Sequence, residues 1–322
     1  MQSARKLEDI SCWVVCEDGL TGTLNQCLGV AEALQLPYEN KAIKLNQPWK
    51  SLSPYLGFET HKSFTPPLNG PWPDLVIAAG RKSIAASRYI KHQSHGKSFT
   101  VQLQDPRICA SNFDLVAVPE HDHLRADNVL VTAATPNRIT KDKLEQAKKD
   151  FATFIDLPAP RIAVLIGGDS KAYKLTRDIM LKLSLQLSHL KDHSLMITAS
   201  RRTGEGNVQI LKDHINLDKH FLWDGQGPNP YFGMLAWADV ILVSADSASM
   251  LSEACSTGKP VYMIKMKSEG DKATRRIDKL HQKLQQSGAL RIFDGHIEHW
   301  DYTPLNDAQI VAQEIKKRME LI

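Results

Sequence analysis

The stretch 243-VSADSASMLSEACSTGKPVYMI-264 decides how the chain is read. An apolar run ends in an acid and serines, a helical period carrying Glu253 follows, and Gly258-Lys259-Pro260 leads into a second apolar run. Strand, helix and strand in that order make one step of a parallel sheet, because parallel neighbours need a crossover. A helix start requires one capping side chain. This one has Ser244, Asp246, Ser247 and Ser249, with Glu253 a turn further on, which is more polar chemistry than a cap explains.

The same alternation runs outward through the chain. Apolar runs at 12–16, 75–79, 99–103, 114–118 and 129–133 form one series, and runs at 162–166, 195–199, 220–224, 240–244 and 261–265 a second. Near-continuous apolar runs suit strands buried on both faces. Between them lie helical periods, such as the stripe Leu175, Ile179, Leu183 and Leu187. The fold class expected is α/β: two Rossmann-like domains facing a cleft, with parallel sheets and helices on both faces. The segment 140–160 reads as a helix capped by Thr140 and then a proline-containing linker. Domain boundaries are therefore placed at 1–157 and 158–305, with 306–322 a final helix, capped by Asn306 or Asp307, that crosses back to the first domain. Residues 46–73 carry six prolines, with Trp49, Tyr55 and Trp72 among the aromatics, and read as irregular surface loops.

The bulk numbers agree with two packed domains. The chain has 322 residues, 42% apolar and 24% charged, which excludes extensive disorder. A net charge of +4 suits an anionic ligand or surface and is no nucleic-acid footprint. The five cysteines are irregularly spaced, so a reducing, cytoplasmic setting is expected, with Cys12 and Cys16 as core residues of a strand. The N-terminal residues lack the apolar core of a signal peptide, and no run reaches the length of a membrane span.

Ligands of open α/β sheets bind beyond the carboxyl ends of the strands. In the first series those ends carry Gly19 and Gly22 with Asn25 and Gln26, then Arg81 and Lys82, then Asp105 and Arg107, then Glu120, His121, Asp122 and His123. Gly19 and Gly22 permit a tight turn, with Asn25 and Gln26 in the first helical turn. Two cations at a helix start oppose the helix dipole unless an anion is near, so Arg81 and Lys82 read as anion or acceptor contacts, as do Asn25, Gln26 and Arg107. Asp105, Glu120, His121 and Asp122 are the candidates for a general base. In the second series the ends carry Gly167, Gly168 and Ser170, then Arg201 and Arg202, then Asn229 and Tyr231, then the serine cluster. Glycines before a helix and paired arginines suit a phosphorylated ligand. Glu253 would repel a phosphate, and reads instead as an acceptor for ribose hydroxyls, with Ser247, Ser249 and the helix start holding phosphate oxygens and Asp246 counted among the donor-binding residues.

These pieces carry a resemblance. The helix, glutamate, short helix and Gly-x-Pro-Val after a strand resemble the donor signature of GT-B glycosyltransferases. The set 18-DGLTGTLNQ-26, 80-GRKS-83, 102-QLQDPR-107, 114-DLVAVPEHD-122, 166-IGGDS-170, 200-SRRTG-204, 229-NPYFGMLAWAD-239 and 246-DSASMLSEACSTGKPV-261 resembles the mitochondrial-fission ELM family of plants and bacteria. The resemblance implies a GT-B-like fold and glycosyltransferase activity. The first domain would bind the acceptor, and the second the nucleotide-sugar, with Glu253 on the ribose and the Gly19–Gly22 loop facing the donor phosphates. It also implies no cofactor and no catalytic metal. The partners expected are a nucleotide-sugar donor and a glycan or lipid-linked acceptor, with a peripheral contact on the inner face of a membrane. Two rival readings remain: a nucleotide-sugar 2-epimerase, which shares the architecture, and a non-catalytic interaction protein recruited to a membrane.

Overall fold

The computed structural model describes residues 7–321. The first six residues of the N-terminus, read above for a leader, lie outside that range, as does Ile322. The chain divides into two compact units, one formed by the residues up to Arg138 together with those from Asn306, the other by Ile139–Leu305.

The first unit is built on strands β1 (Cys12–Glu17), β2 (Tyr38–Leu45), β3 (Phe64–Thr65), β4 (Leu75–Ala79), β5 (Phe99–Leu103), β6 (Leu115–Pro119) and β7 (Val129–Thr132). They form one sheet in the order β3-β2-β1-β4-β5-β6-β7. Every pairing is parallel except that of β3 with β2. Its helices include α1 (Thr21–Leu34), α2 (Trp49–Leu52) and α3 (Ser83–Gln93). Alternate residues of β1 face opposite cores, as the period of a strand requires. Val14 joins Val30, Leu34, Ile77, Leu103 and Leu115 on one side, whereas Trp13 and Val15 join Ile43, Phe64, Val76 and Ile90 on the other.

Two expectations fail here. Strand β2 goes unseen in the sequence because YENKAIKL buries only Ile43 and Leu45 and alternates with solvated charge. The segment 46–73 is not merely surface loop. It supplies α2 and β3, buries Phe64 and Leu68, and sets Trp72 against Trp13 and Tyr89.

The second unit contains α4 (Lys141–Asp150), β8 (Arg161–Ile166), β9 (Tyr173–Lys174), α5 (Arg177–Ser188), β10 (Ser194–Ala199), α6 (Glu205–His214), β11 (Phe221–Leu222), α7 (Tyr231–Trp237), β12 (Val240–Ser244), α8 (Ala248–Cys255), β13 (Val261–Ile264), β14 (Lys267–Ser268), α9 (Asp271–Gln286) and β15 (Leu290–Ile292). Six of the strands make a wholly parallel sheet in the order β11-β10-β8-β12-β13-β15. Strands β9 and β14 pair separately and antiparallel. The division between units falls after Arg138, ahead of the expected linker at 157–160. The reason is local packing. Helix α4 is capped by Thr140 as read, and its C-terminal end takes the Trp237 indole N–H on the Lys148 carbonyl at 3.2 Å. Phe151 then lies so close to Gly233 that any side chain there would collide with its ring.

The last helix, α10 (Asp307–Arg318), belongs to the first unit, where Val311, Ala312 and Ile315 enter the core beside α1. Asn306 holds its N-cap position as read, but without a side-chain capping bond. Asp307 is buried and instead accepts the Ala133 and Ala134 amides at 2.8 and 3.1 Å, fastening the helix to the end of β7. Among the described residues no helix is long and apolar enough to cross a membrane.

Candidate functional site

Because the neighbouring strands are parallel, the loops singled out in each unit gather along one edge of its sheet. In the second unit the loops after β8, β10 and β12 interlock. Ser244, the last residue of β12, accepts the Gly167 amide at 2.7 Å and donates its hydroxyl to Asp246 Oδ1 at 2.6 Å. Asp246 Oδ2 takes the Gly168 amide at 3.2 Å and the Arg202 guanidinium at 2.8 Å. Ser200 donates to the Gly167 carbonyl at 2.8 Å, and Thr203 donates to the same carbonyl. A Cβ on Gly167 would meet the Asp246 carboxylate at 2.3 Å, and one on Gly168 the Arg202 carbonyl at 2.1 Å. Both glycines are therefore demanded by close approach of neighbouring loops.

This geometry corrects several expectations. The amides of Gly167, Gly168, Asp169 and Ser170 all donate to groups of the protein itself, so the loop is not an open anion cradle. Asp246, its side chain fully buried, staples loops together through Ser244, Gly168 and Arg202. Arg202 is bound to Asp246 and to the Asp169 carbonyl. Ser170 closes a turn by accepting the Ala172 and Tyr173 amides, and Asn229 does the same for the Tyr231 amide.

Other groups keep donors outward. Ser247 caps α8 by accepting the Met250 amide at 3.3 Å. The Ala248 and Ser249 amides and the Ser249 hydroxyl have no acceptor among the described residues. Arg201 is exposed and makes no ion pair among them. Glu253, a turn into α8, is 5% exposed and accepts the Tyr231 hydroxyl at 2.5 Å. Burial and that carboxylate push the Tyr231 phenol well above its ordinary range, so it stays a donor. Lys259 of the Gly-Lys-Pro turn has a separate task. Its ammonium closes the C-terminal end of α7 on the Leu235 and Ala236 carbonyls at 2.7 and 2.6 Å, and burial pushes it down to about 8.

Beside the Trp223–Pro230 loop lies a cavity of about 320 Å³ lined by Phe151, Phe154, Trp223, Asp224 and Pro230. The sequence reading passed over it. Its aromatics come from two segments far apart in the chain, and the Trp223 indole is turned by its bond to the Gln226 carbonyl.

In the first unit Gly19 adopts φ +81° and turns the chain from β1 into α1. Helix α1 has no side-chain cap and no acid in its first turn. Gly22 lies inside that turn, which displaces Asn25 and Gln26 into the next. Gln26 is buried and accepts the Gln104 amide group at 2.9 Å, tying α1 to the end of β5, so it is not an outward contact. Lys82 is explained without a ligand, since it pairs with Glu17 at the end of β1. Arg81 and Arg107 are exposed. Asp105 folds back on the Arg107 amide at 2.7 Å. His121 Nε2 stands 4.0 Å from Asp122 Oδ1, and both side chains are nearly buried, whereas Glu120 faces solvent. Arg125 holds this loop through the Asp122 and Leu124 carbonyls at 2.6 and 2.7 Å. The Cys16 thiol lies 3.5 Å from that of Cys27, both buried, and burial pushes the Cys12 thiol up to about 12, in keeping with core roles. Among the described residues no group of three or more His, Cys, Asp or Glu side chains is placed to hold a metal ion.

The model of a family described as mitochondrial fission ELM1 matches residues 21–319. The chain belongs to that family. Mitochondrial fission protein ELM1 of Arabidopsis thaliana is 32% identical over 277 residues, a match that spans 77% of this chain and 64% of that longer protein. An uncharacterised protein of Rickettsia prowazekii is 26% identical over 97% of this chain and 99% of its own. Among solved structures, the Methanocaldococcus jannaschii UDP-GlcNAc 2-epimerase, in complex with UDP-GlcNAc and UDP, superposes with a TM-score of 0.55 at 12% identity, covering 95% of this chain and 98% of that one. At that identity the likeness speaks for the fold, the α/β architecture of paired Rossmann-like domains that such epimerases share with GT-B glycosyltransferases. The ELM1 family chain described here therefore carries that fold.

Proposed function

We propose that this ELM1 family member is a glycosyltransferase that moves a sugar from a nucleotide-sugar to a glycan or lipid-linked acceptor without a catalytic metal. The observation that carries the reading is the start of α8. Two amides, the Ser249 hydroxyl and the helix dipole face outward there above a carboxylate, Glu253, that Tyr231 holds in place. An anion seats on the first set and a sugar hydroxyl on the second. Phosphate oxygens of the donor would take the Ala248 and Ser249 amides and Arg201, and Glu253 would take the ribose. The aromatic cavity beside Tyr231 offers ring faces to a base.

The chemistry follows from these assignments. As the bond to the sugar breaks, negative charge grows on the departing diphosphate, and Arg201 with the α8 amides would stabilise it. The acceptor hydroxyl must lose a proton. His121, held next to Asp122, suits that task best, with Asp105 and Glu120 as the other carboxylates at the strand ends. Fold likeness to an epimerase keeps the 2-epimerase reading in play, since it needs the same donor contacts and no acceptor.

Thermal melts of purified protein against UDP, GDP, CDP and ADP and their sugars, with and without EDTA, test the proposal. Ligand at a hundred times its dissociation constant stabilises by about 2.7 kcal/mol. The expected result is a shift with one nucleotide that survives EDTA and is lost in Glu253→Ala and Arg201→Ala. No shift with any nucleotide would sink the enzyme reading in favour of an interaction protein. Conversion of the bound sugar without acceptor would favour the epimerase.

A further inference from the structure

The segment 49–58 places three large apolar side chains in solvent: Leu52 at 51% exposure, Tyr55 at 72% and Phe58 at 92%. Single exposed apolar residues are ordinary, but three on ten residues of one loop are not. The loop is not slack. Arg88 reaches into it, donating to the Pro54 and Leu56 carbonyls at 2.8 and 2.7 Å and pairing with the nearly buried Glu59. Ser53 donates to the Arg81 carbonyl at 3.0 Å, and Thr60 and Ser63 cap each other. Trp49 anchors its start in the core.

Phe58 also sits at φ +62°, a region that bulky residues avoid, although Gly57 stands next to it and would adopt it freely. A firmly braced loop thus holds an aromatic ring outward against its backbone preference. Within 46–73 the charged side chains left without an ion pair among the described residues have one sign. Glu59, the sole acid of 46–73, is neutralised by Arg88, which leaves Lys50, His61 and Lys62 in solvent.

We propose that Leu52, Tyr55 and Phe58 form a wedge that inserts into the interface of an anionic lipid bilayer, with Lys50 and Lys62 on its phosphates. A side chain 92% exposed stands clear of its own surface. A protein partner would have to supply a matching pocket for it, whereas a bilayer interface accepts a protruding ring without shape complementarity. The amphipathic tyrosine and the lysine stems suit that depth. The inference rests on this loop alone and stands apart from the transferase reading.

The test is flotation of the full chain with phosphatidylcholine vesicles and with mixed phosphatidylcholine–phosphatidylglycerol vesicles. The wild type is expected to float with the anionic vesicles, less so as salt is raised. Phe58→Gly should weaken binding roughly tenfold or more, the transfer value of one buried phenylalanine, while its melting temperature stays level or rises because the backbone strain is relieved. Lys50→Glu with Lys62→Glu should abolish the preference for anionic vesicles. A wild type that stays at the bottom with anionic lipid overturns the proposal, as does a Phe58→Gly protein that floats equally well. A dimer that Phe58→Gly dissolves, with no flotation, would make a second copy the occupant and also overturn it.

Discussion

Replacing Asp246 by asparagine separates a structural staple from a ligand contact. In the fold Oδ1 receives the Ser244 hydroxyl, whose oxygen accepts the Gly167 amide. Oδ2 receives the Gly168 amide and the Arg202 guanidinium. Asparagine offers one acceptor and one donor where the site needs two acceptors. With its nitrogen toward Gly168 and Arg202 the amide sets a donor against donors, and turned the other way it leaves the Ser244 hydroxyl without its acceptor, at about 1–3 kcal/mol in either case. Loss of the ion pair adds about 0.5–1 kcal/mol, the low end, because Arg202 is 48% exposed. A total near 2–4 kcal/mol should lower the melting temperature by about 4–16 °C for a unit of this size. The assay is a ligand-free melt beside Ser249→Ala, which should melt like the wild type because its hydroxyl has no partner to lose. An Asp246→Asn protein melting within about 1 °C of the wild type, yet binding nucleotide poorly, would show that Asp246 faces the ligand and that the reasoning is wrong.

Two further outcomes follow from close packing and from a buried acid. In Gly29→Ala the new methyl would lie 2.2 Å from the Asn137 carbonyl, which is backbone and cannot swing aside. The protein should lose about 3 kcal/mol or more or fail to fold, and a melt indistinguishable from wild type would contradict the α1 packing. Burial pushes the Asp307 carboxyl from an ordinary 3.8 up to about 6, against the pull of the Ala133 and Ala134 amides. The native state therefore holds a proton there that the unfolded chain gives up earlier. Its contribution is complete below about pH 4, falls as pH rises through about 6 and is flat above. The difference in melting temperature between wild type and Asp307→Asn should slope across that window only, and parallel profiles would refute the assignment.

How much of this was legible in the sequence depended on whether the information was local. Strands such as 162–166 and 240–244 announce themselves because a strand buried on both faces must be apolar throughout, and Thr140 reads as a cap because capping is settled within four residues. Strand β2 escaped because it is half solvated, and its identity rests on pairing with β1, a long-range fact. At the strand ends the polar loops can be picked out from the sequence, but their roles are not separable by residue type. Asp246 and Glu253 are both acids after an apolar strand, and both Arg201 and Arg202 follow β10. What distinguishes them is which neighbour arrives from another loop: Ser244 and Gly168 enclose Asp246, Asp246 draws in Arg202, and Tyr231 holds Glu253. Lys82 teaches the same lesson. The helix dipole argued for a nearby anion, and there is one, but it is Glu17 of the protein itself. A polar cluster at a strand end thus mixes side chains that fasten loops together with side chains left outward. The contacts proposed for a ligand are what remains after the cluster has satisfied itself, which here leaves Arg201, Ser249 and the first amides of α8.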